Sequence, residues 1–149
     1  MSGRPSARRW TLIVLLALGA AAAAVPAALV MITATLIATL GEQAPDATIV
    51  LVTYPRLVPG ADCAAVSMAS SEAELVSRLG ERLQEAFLSV AAETGIRLAD
   101  PYSAEGDHGP CAPAGEAWVD GSTAENGFPF HPTADGHAAM AALVEAALT

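Results

Sequence analysis

The stretch Thr48-Ile49-Val50-Leu51-Val52-Thr53 is apolar or β-branched at every position. A half-exposed strand alternates apolar and polar residues, whereas an unbroken run of this kind is typical of a strand buried on both faces. Such strands lie in parallel sheets that helices cover on both sides. Pro55 follows shortly and ends the strand, because proline has no N–H to donate to a neighbouring strand. The run therefore predicts a central strand of an α/β fold.

A long amphipathic helix is predicted after this strand. Ser71-Glu72-Ala73-Glu74 matches a capping box, in which a serine hydroxyl and a glutamate carboxylate satisfy free backbone N–H groups. Gly95 ends the helix in the left-handed conformation that glycine tolerates, and Ile96 to Asp100 form a second short strand. One stripe of the helix is apolar, and we expect it to face the core: Leu75, Leu79, Leu83, Phe87 and Val90.

The remaining elements follow the same alternation. A helix is predicted before the first strand, and another is predicted over the Ala-rich run Ala138 to Leu148. The order helix, strand, helix, strand, loop, helix is typical of the α/β class. The loop from Pro101 to Phe130 is long and rich in glycine, proline and aspartate, and loops of this length are usually functional.

The N-terminal segment is apolar and has a basic flank. No charged residue occurs from Trp10 to Gly41, and the part from Thr11 to Ile32 is long enough to cross a bilayer core of about 30 Å. Three arginines precede it and would keep the N-terminus in the cytoplasm: Arg4, Arg8 and Arg9.

This segment has two main interpretations, and both place the rest of the chain outside the cytoplasmic membrane. Small residues between Ala20 and Ala28 offer cleavage sites for a secretory signal peptide, and without cleavage the segment is a membrane anchor. A buried core helix is a third interpretation, but it leaves the basic flank without a purpose. We therefore divide the chain into two parts. Residues 1–27 are a signal peptide or anchor, and residues 28–149 are a secreted or anchored domain. Membrane contact, if the anchor is retained, is expected through residues 11–32.

Charge excludes one class of partner. The formal net charge is −9, and all 16 acidic residues lie at or after Glu42, where only four of the seven basic residues are found. Nucleic-acid binding depends on lysine and arginine contacts to phosphates. We therefore expect no nucleic-acid partner.

A histidine near the C-terminus is the candidate for chemistry. It lies in Gly127-Phe128-Pro129-Phe130-His131-Pro132-Thr133, where prolines stiffen the chain on both sides of His131. Pro132 fixes φ and suits the first turn of the following helix. A stiff loop before a helix holds an imidazole at the mouth of a site, so we expect His131 to be exposed there.

Several short motifs together resemble the C-terminal block of the SGNH (GDSL-type) hydrolases, in particular the secreted bacterial lipase and esterase branch. The resemblance covers roughly residues 28–149 and implies a partial three-layer, flavodoxin-like fold with a parallel sheet behind an N-terminal hydrophobic helix. It implies hydrolysis of a small-molecule or lipid ester without a cofactor. The motifs are the histidine segment, Thr53-Tyr54-Pro55-Arg56-Leu57, Tyr102-Ser103-Ala104, Asp107-His108 and Trp118-Val119.

The resemblance assigns roles to individual residues. His131 matches the catalytic base, and the Phe128 backbone carbonyl takes the place of the usual aspartate, giving a Ser-His dyad without negative charge behind the ring. Cys63 and Cys111 are the only cysteines. In an exported protein two cysteines are most simply one disulfide, and the family has a bridge at the corresponding positions.

The nucleophile is missing from the matching positions. The chain contains no Gly-Asp-Ser or Gly-x-Asn-Asp block, and Ser122 in Asp120-Gly121-Ser122 only echoes one, because it lies on a loop. The resemblance thus implies an exported ester hydrolase of which only the histidine is present, inactive by itself. A non-catalytic remnant or membrane-tethered module of the same fold is the alternative, and a small membrane protein with an acidic external tail is a third.

Other assignments of the site are weaker. His108, His131 and His137 lack cysteine or glutamate partners at ligand spacing, so we expect no metal site. Asp120 and Asp135 could replace the missing acid, although we expect Asp135 instead to cap the last helix or to face water.

Overall fold

A computed structural model describes residues 27–58, 63–124 and 128–149. The predicted signal peptide or anchor lies almost entirely outside the described residues. No helix within them is both long and apolar enough to cross a bilayer. The elements are α1 over residues 27–43, β1 (Val50–Val52), α2 (Ser70–Thr94), β2 (Arg97–Ala99), a 3-10 turn (Pro101–Ser103) and α3 (Ala134–Leu148).

The sheet confirms the predicted α/β class. β1 and β2 are parallel, with Leu51 opposite Leu98, and α2 is the crossover between them. Both strands are shorter than predicted. The backbone pairing continues as far as the N–H of Thr53, which donates to the Ala99 carbonyl at 3.0 Å. Pro55 follows two residues later and has no N–H to donate to the neighbouring strand.

The ends of α2 differ partly from the prediction. The helix begins at Ser70, and the Glu72 carboxylate accepts a hydrogen bond from the Ala69 N–H at 2.9 Å. Glu72 thus supplies the capping contact, two positions earlier than the Glu74 of the predicted box, and Ser71 is not the cap. Gly95 ends the helix at φ 69°, as predicted, and its N–H donates to the Ala91 carbonyl.

The predicted core stripe of α2 is wrong over its first half. Leu75, Leu79 and Leu83 are 63%, 55% and 40% exposed, whereas Val90 is buried as predicted. The side of the helix that faces the strands also contains Gln84, which is held by a hydrogen bond to a carboxylate next to β2. Two strands of three residues cannot cover the face of a 25-residue helix, so its first leucines have no strand beneath them.

The C-terminal helix packs on both strands and determines where the histidine loop lies. Thr133 is its N-cap, since the hydroxyl accepts a hydrogen bond from the Gly136 N–H at 3.0 Å. Of the two positions expected for Asp135, the structure shows the second, since Asp135 is exposed and does not cap the helix. Pro132, expected in the first turn, precedes the helix. Pro132 instead forms an antiparallel bridge with the fully buried Val119.

The predicted disulfide is present. Cys63 and Cys111 are bonded, with their Cα atoms 5.8 Å apart. The bridge joins the segment after β1 to the long loop. A second tie lies close by, where the Ser122 N–H donates to the Ala65 carbonyl at 2.8 Å.

Candidate active site

His131 lies exposed on the loop before α3, as predicted. Its Nδ1 is 3.0 Å from the Pro129 carbonyl oxygen. A carbonyl can only accept, so this contact places the ring proton on Nδ1 and leaves Nε2 free to accept a proton. The arrangement is that of an imidazole base with a fixed tautomer.

The carbonyl that orients the ring is not the predicted one. The Phe128 carbonyl accepts a hydrogen bond from the His131 backbone N–H at 3.2 Å. This hydrogen bond closes a tight turn over residues 128–131. The Phe128 oxygen is bonded within the turn, and the Pro129 oxygen lies beside the imidazole ring. The predicted role of Phe128 therefore moves one residue, to Pro129.

Phe130 holds an uncommon backbone conformation next to the candidate base. Its φ is 61°, a region that non-glycine residues rarely adopt. Its N–H donates to the Gly121 carbonyl at 3.2 Å, and its own carbonyl accepts from the Tyr54 hydroxyl at 2.9 Å. Backbone strain of this kind persists where surrounding contacts hold it, and it is common at functional sites.

Tyr54 connects the end of β1 to the histidine loop. Burial raises the pKa of its phenol, so the hydroxyl stays protonated and can donate to Phe130. The carboxyl ends of parallel strands line the ligand crevice in α/β folds. Tyr54 at the end of β1 thus lies beside the loop that carries His131.

A second set of backbone bonds fixes the loop from the other side. The Asp120 N–H donates to the His131 carbonyl, and the Thr133 N–H donates to the Trp118 carbonyl, each at 2.9 Å. These are main-chain contacts. Over the described ranges the one ion pair joins Arg78 and Glu74, so neither candidate aspartate pairs with the His131 ring.

A polar cluster lies where the two strands end. Asp100 accepts from the Thr53 hydroxyl and from the Gln84 amide, both at 2.7 Å, and from the Ser103 N–H at 3.3 Å. Burial alone would raise the pKa of Asp100, but these hydrogen bonds to the charged form outweigh it and lower the pKa. Sequence reasoning missed this cluster, because its members are far apart in the chain and nothing in the motifs that contain Thr53 and Ser103 links them to Gln84 or Asp100.

A cleft of about 140 Å³ lies between α2 and the segment after β1. Tyr54, Arg56, Gln84 and Tyr102 provide polar groups along it, and the rest of the wall is mostly apolar. The apolar side chains are those of Leu57, Val58, Val76, Leu79, Leu83 and Phe87. Tyr54 and Arg56 belong to a motif that the sequence resemblance singled out, but the sequence did not reveal a cleft.

The other histidines have structural positions. His108 stacks on Trp118, with ring centroids 3.8 Å apart, and each of its ring nitrogens lies 2.9 Å from a backbone carbonyl. His137 is exposed on α3. Among the side chains that the structure describes, no three histidine, cysteine, aspartate or glutamate residues cluster as metal ligands.

Ser122, whose sequence context superficially resembles a nucleophile block, has a structural hydrogen bond instead. Its hydroxyl oxygen accepts a hydrogen bond from the Ser67 N–H at 2.7 Å. It thus ties the long loop to the segment before α2.

Comparison with known proteins identifies a family and a similar fold. The model of the GDSL-like Lipase/Acylhydrolase family matches residues 5–139. The crystal structure of an extracellular lipase from Streptomyces rimosus is similar in fold, with a TM-score of 0.60 and 23% sequence identity. The match covers 73% of this chain and 46% of that chain, so this chain spans less than half of the lipase's length. A comparison with curated proteins found no match.

Proposed function

The chain belongs to the GDSL-like lipase/acylhydrolase family, and on that premise we propose that it provides the histidine of a Ser-His dyad that hydrolyses esters. One observation carries the proposal: the His131 ring is exposed with its Nδ1 held by the Pro129 carbonyl. That tautomer presents a basic Nε2 to the site. In a hydrolytic Ser-His dyad the histidine must have an unprotonated ring nitrogen, because it accepts a proton from the nucleophile.

In the proposed reaction a serine hydroxyl attacks the ester carbonyl while His131 Nε2 takes the hydroxyl proton. The proton then passes to the departing alcohol, and water releases the acyl group by the same steps. The Pro129 carbonyl orients the ring but adds no full negative charge beside the imidazolium. The chain shows no serine in the family's Gly-Asp-Ser context, so we assign the nucleophile to a further polypeptide segment and expect no activity without it.

Export is part of the proposal. The three arginines before residue 10 and the uncharged run after it support a signal peptide or an anchor. The similar Streptomyces protein is described as extracellular, which agrees with secretion. A disulfide between Cys63 and Cys111 also suits an oxidising compartment.

The test is an assay with p-nitrophenyl butyrate in two mixtures. The first contains the purified chain alone, and the second adds the Gly-Asp-Ser half of a family member, with association checked by size-exclusion chromatography. We expect background rates from the chain alone and hydrolysis from the associated mixture. His131→Ala should lower that hydrolysis by roughly 10²- to 10⁴-fold, whereas His137→Ala, on the exposed face of α3, should not change it.

A second candidate function rests on the sequence inventory. The chain contains neither a Gly-Asp-Ser nor a Gly-x-Asn-Asp block, which favours a non-catalytic module of the same fold. If the associated mixture hydrolyses the ester no faster with the wild-type chain than with the His131→Ala variant, this second candidate is established and the dyad is rejected.

A further inference from the structure

His108, in the long loop, contacts a backbone carbonyl through each of its ring nitrogens. Nδ1 lies 2.9 Å from the Glu116 carbonyl oxygen, and Nε2 lies 2.9 Å from the Glu105 carbonyl oxygen. A carbonyl oxygen can only accept a hydrogen bond, and a neutral imidazole has a proton on only one nitrogen. The neutral ring therefore forms one of these hydrogen bonds and turns a lone pair towards the other oxygen. Only the imidazolium forms both.

The stacking partner of His108 also suits a charged ring. The imidazole lies parallel to the Trp118 indole, with 3.8 Å between the ring centroids and 3° between the ring planes. The face of an indole is the negative part of its quadrupole, and tryptophan is the side chain that attracts cations best through its ring. A positive charge on His108 therefore strengthens the stack.

The charged groups around the ring form no ion pair with it. The loop from Pro101 to Phe130 has no lysine or arginine, and its acidic residues are Glu105, Asp107, Glu116, Asp120 and Glu125. On α3, Asp135 and His137 flank Gly136, which lies against the Trp118 backbone. Within the described ranges the one ion pair joins Arg78 and Glu74. The two carbonyls and the indole are thus the direct contacts that differ between the charged and the neutral ring.

The backbone around His108 is shaped to present these acceptors. Gly106 has a φ of 94°, a conformation that glycine adopts readily, and a Cβ there would lie 3.3 Å from His108 Nε2. The carbonyl of His108 accepts a hydrogen bond from the Trp118 N–H at 2.9 Å. The side chain and the backbone of His108 thus join the segments around residues 105 and 116–118, and we call this set of contacts the His108 clamp.

The His108 clamp ends at the segment that pairs with the His131 loop. The Trp118 carbonyl accepts from the Thr133 N–H, and the Asp120 N–H donates to the His131 carbonyl, each at 2.9 Å. Between these two bonds, Val119 forms the bridge with Pro132. Residues 118–120 are therefore backbone neighbours of His131, and the clamp holds their N-terminal end.

We propose that the His108 clamp is operated by a proton: the imidazolium closes it, and loss of the second ring proton loosens it. Deprotonation leaves one carbonyl oxygen facing an unprotonated nitrogen, so the segment from Glu105 to Trp118 loses one of its ties. Histidine changes its charge between about pH 5 and pH 8. The stabilisation of the loop is therefore present on the acidic side of this range and is lost as the pH rises through it.

NMR spectroscopy of the full chain with nitrogen-15-labelled histidine tests the ring itself. At about pH 6, within the range where histidine titrates, both ring nitrogens of His108 should give N–H signals that exchange slowly with water. His137, which is exposed on α3, should give none. A His108 ring with an unprotonated nitrogen, or with freely exchanging ring protons, under these conditions would overturn the proposal.

Amide hydrogen exchange tests whether the proton controls the loop. The protection factor of the Trp118 N–H should fall roughly tenfold as the pH is raised across the histidine range, as the loss of one charge-assisted hydrogen bond implies. The Thr53 N–H, which donates to the Ala99 carbonyl in the sheet, is the internal control and should keep its protection. If His108 lost its second ring proton while the protection of Trp118 stayed constant, the proposal would be refuted.

Two matched variants assign the effect to one histidine. His108→Phe keeps a flat ring for the stack on Trp118 but has no ring N–H, so the protection of Trp118 should be low and independent of pH. His137→Phe should keep the pH dependence of the wild type. A wild-type pH response in His108→Phe, or its loss in His137→Phe, would contradict the assignment to His108.

The wild-type measurements decide the proposal even if His108→Phe does not fold. None of the measurements requires ester hydrolysis, so a failure of the proposed function would leave them unchanged.

Discussion

Two regions at the carboxyl end of the sheet are built in opposite ways. The cluster around Asp100 is made of side chains, and its Thr53 and Gln84 members are 2% and 6% exposed. The loop that carries His131 is held by backbone hydrogen bonds, and the ring of this candidate base is exposed. Tyr54 touches the loop, and its sequence neighbour Thr53 belongs to the cluster.

The difference separates two kinds of constraint. A buried side-chain cluster depends on the identity of each member, because removing one partner leaves another unsatisfied. A loop held by main-chain bonds tolerates other side chains but requires the backbone to follow one path. Substitutions in the cluster should therefore change stability, whereas substitutions in the loop should matter mainly where they displace the backbone.

The largest expected loss of stability is at Gly136, where α3 packs closely against the backbone beside the His131 loop. A Cβ at this position would collide with the Trp118 carbonyl, which accepts the hydrogen bond from the Thr133 N–H. Gly136→Ala must therefore push α3 away from the loop, and we expect a loss of about 3 kcal/mol in the free energy of unfolding. Urea denaturation followed by circular dichroism measures it, and the His131 ring signals in NMR should shift as well.

Gly41→Ala is the matched control. A Cβ at Gly41, within the helical range of α1, would meet no atom within 4 Å. Alanine there should leave the stability unchanged or raise it by up to about 1 kcal/mol, because it is the better helix former. Similar losses in the two variants would show that the loop path does not depend on contact between Gly136 and Trp118.

The next effect concerns the cluster. Asp100→Asn places an amide N–H₂ opposite either the Gln84 amide nitrogen or the Ser103 N–H, both of which can only donate, so one of these two hydrogen bonds is lost. We expect a loss of about 2 kcal/mol near neutral pH. The His131 loop, held by its own backbone bonds, should keep its NMR signals, and a change there would mean that the two regions are not independent.

The stability difference between the wild type and the Asp100→Asn variant should depend on pH in a predictable direction. The pKa of Asp100 is lowered in the folded state, so the ionised carboxylate stabilises the fold above its unfolded pKa of about 3.9. This contribution is lost as the pH falls through the lowered folded pKa. The stability difference between wild type and Asp100→Asn should therefore be constant from about pH 5 upward and shrink below about pH 4, as urea denaturation at several pH values can measure. A difference that grows on acidification would contradict the assignment.

Sequence reasoning predicted the elements whose signal is local. The apolar run around Val50 predicted a parallel strand, Gly95 predicted the end of α2, and Cys63 with Cys111 predicted the disulfide. The run also predicted a central strand buried on both faces, which is wrong for the described residues, where the sheet has two strands and β1 is only partly buried. It failed for the orientation of α2. Periodicity placed Leu79 in the core, but Gln84 is held against the strands by Asp100, and no periodic pattern contains that pairing.

The candidate site was predictable in its position but not in its contacts. The prolines around His131 predicted an exposed ring on a stiff loop. The choice between the Phe128 and Pro129 carbonyls depends on the turn that Phe130 makes at φ 61°, a conformation more typical of glycine or asparagine. A sequence does not reveal that such a conformation is held by Tyr54 from another part of the chain.

The smallest effect tests the link between the two regions. Tyr54→Phe removes the hydroxyl that donates to the Phe130 carbonyl at 2.9 Å, and Tyr54 is partly exposed, so water can replace the donor. The loss of stability should be only about 0.5 kcal/mol. The His131 ring signals should nevertheless broaden or shift, because the strained residue before it loses one of its two supports.

Tyr102→Phe is the control, since its hydroxyl has no hydrogen-bond partner among the residues that the structure describes. If both variants left the His131 signals unchanged, the backbone bonds to Asp120 and Gly121 alone would hold the loop, and the cluster and the histidine would be structurally uncoupled.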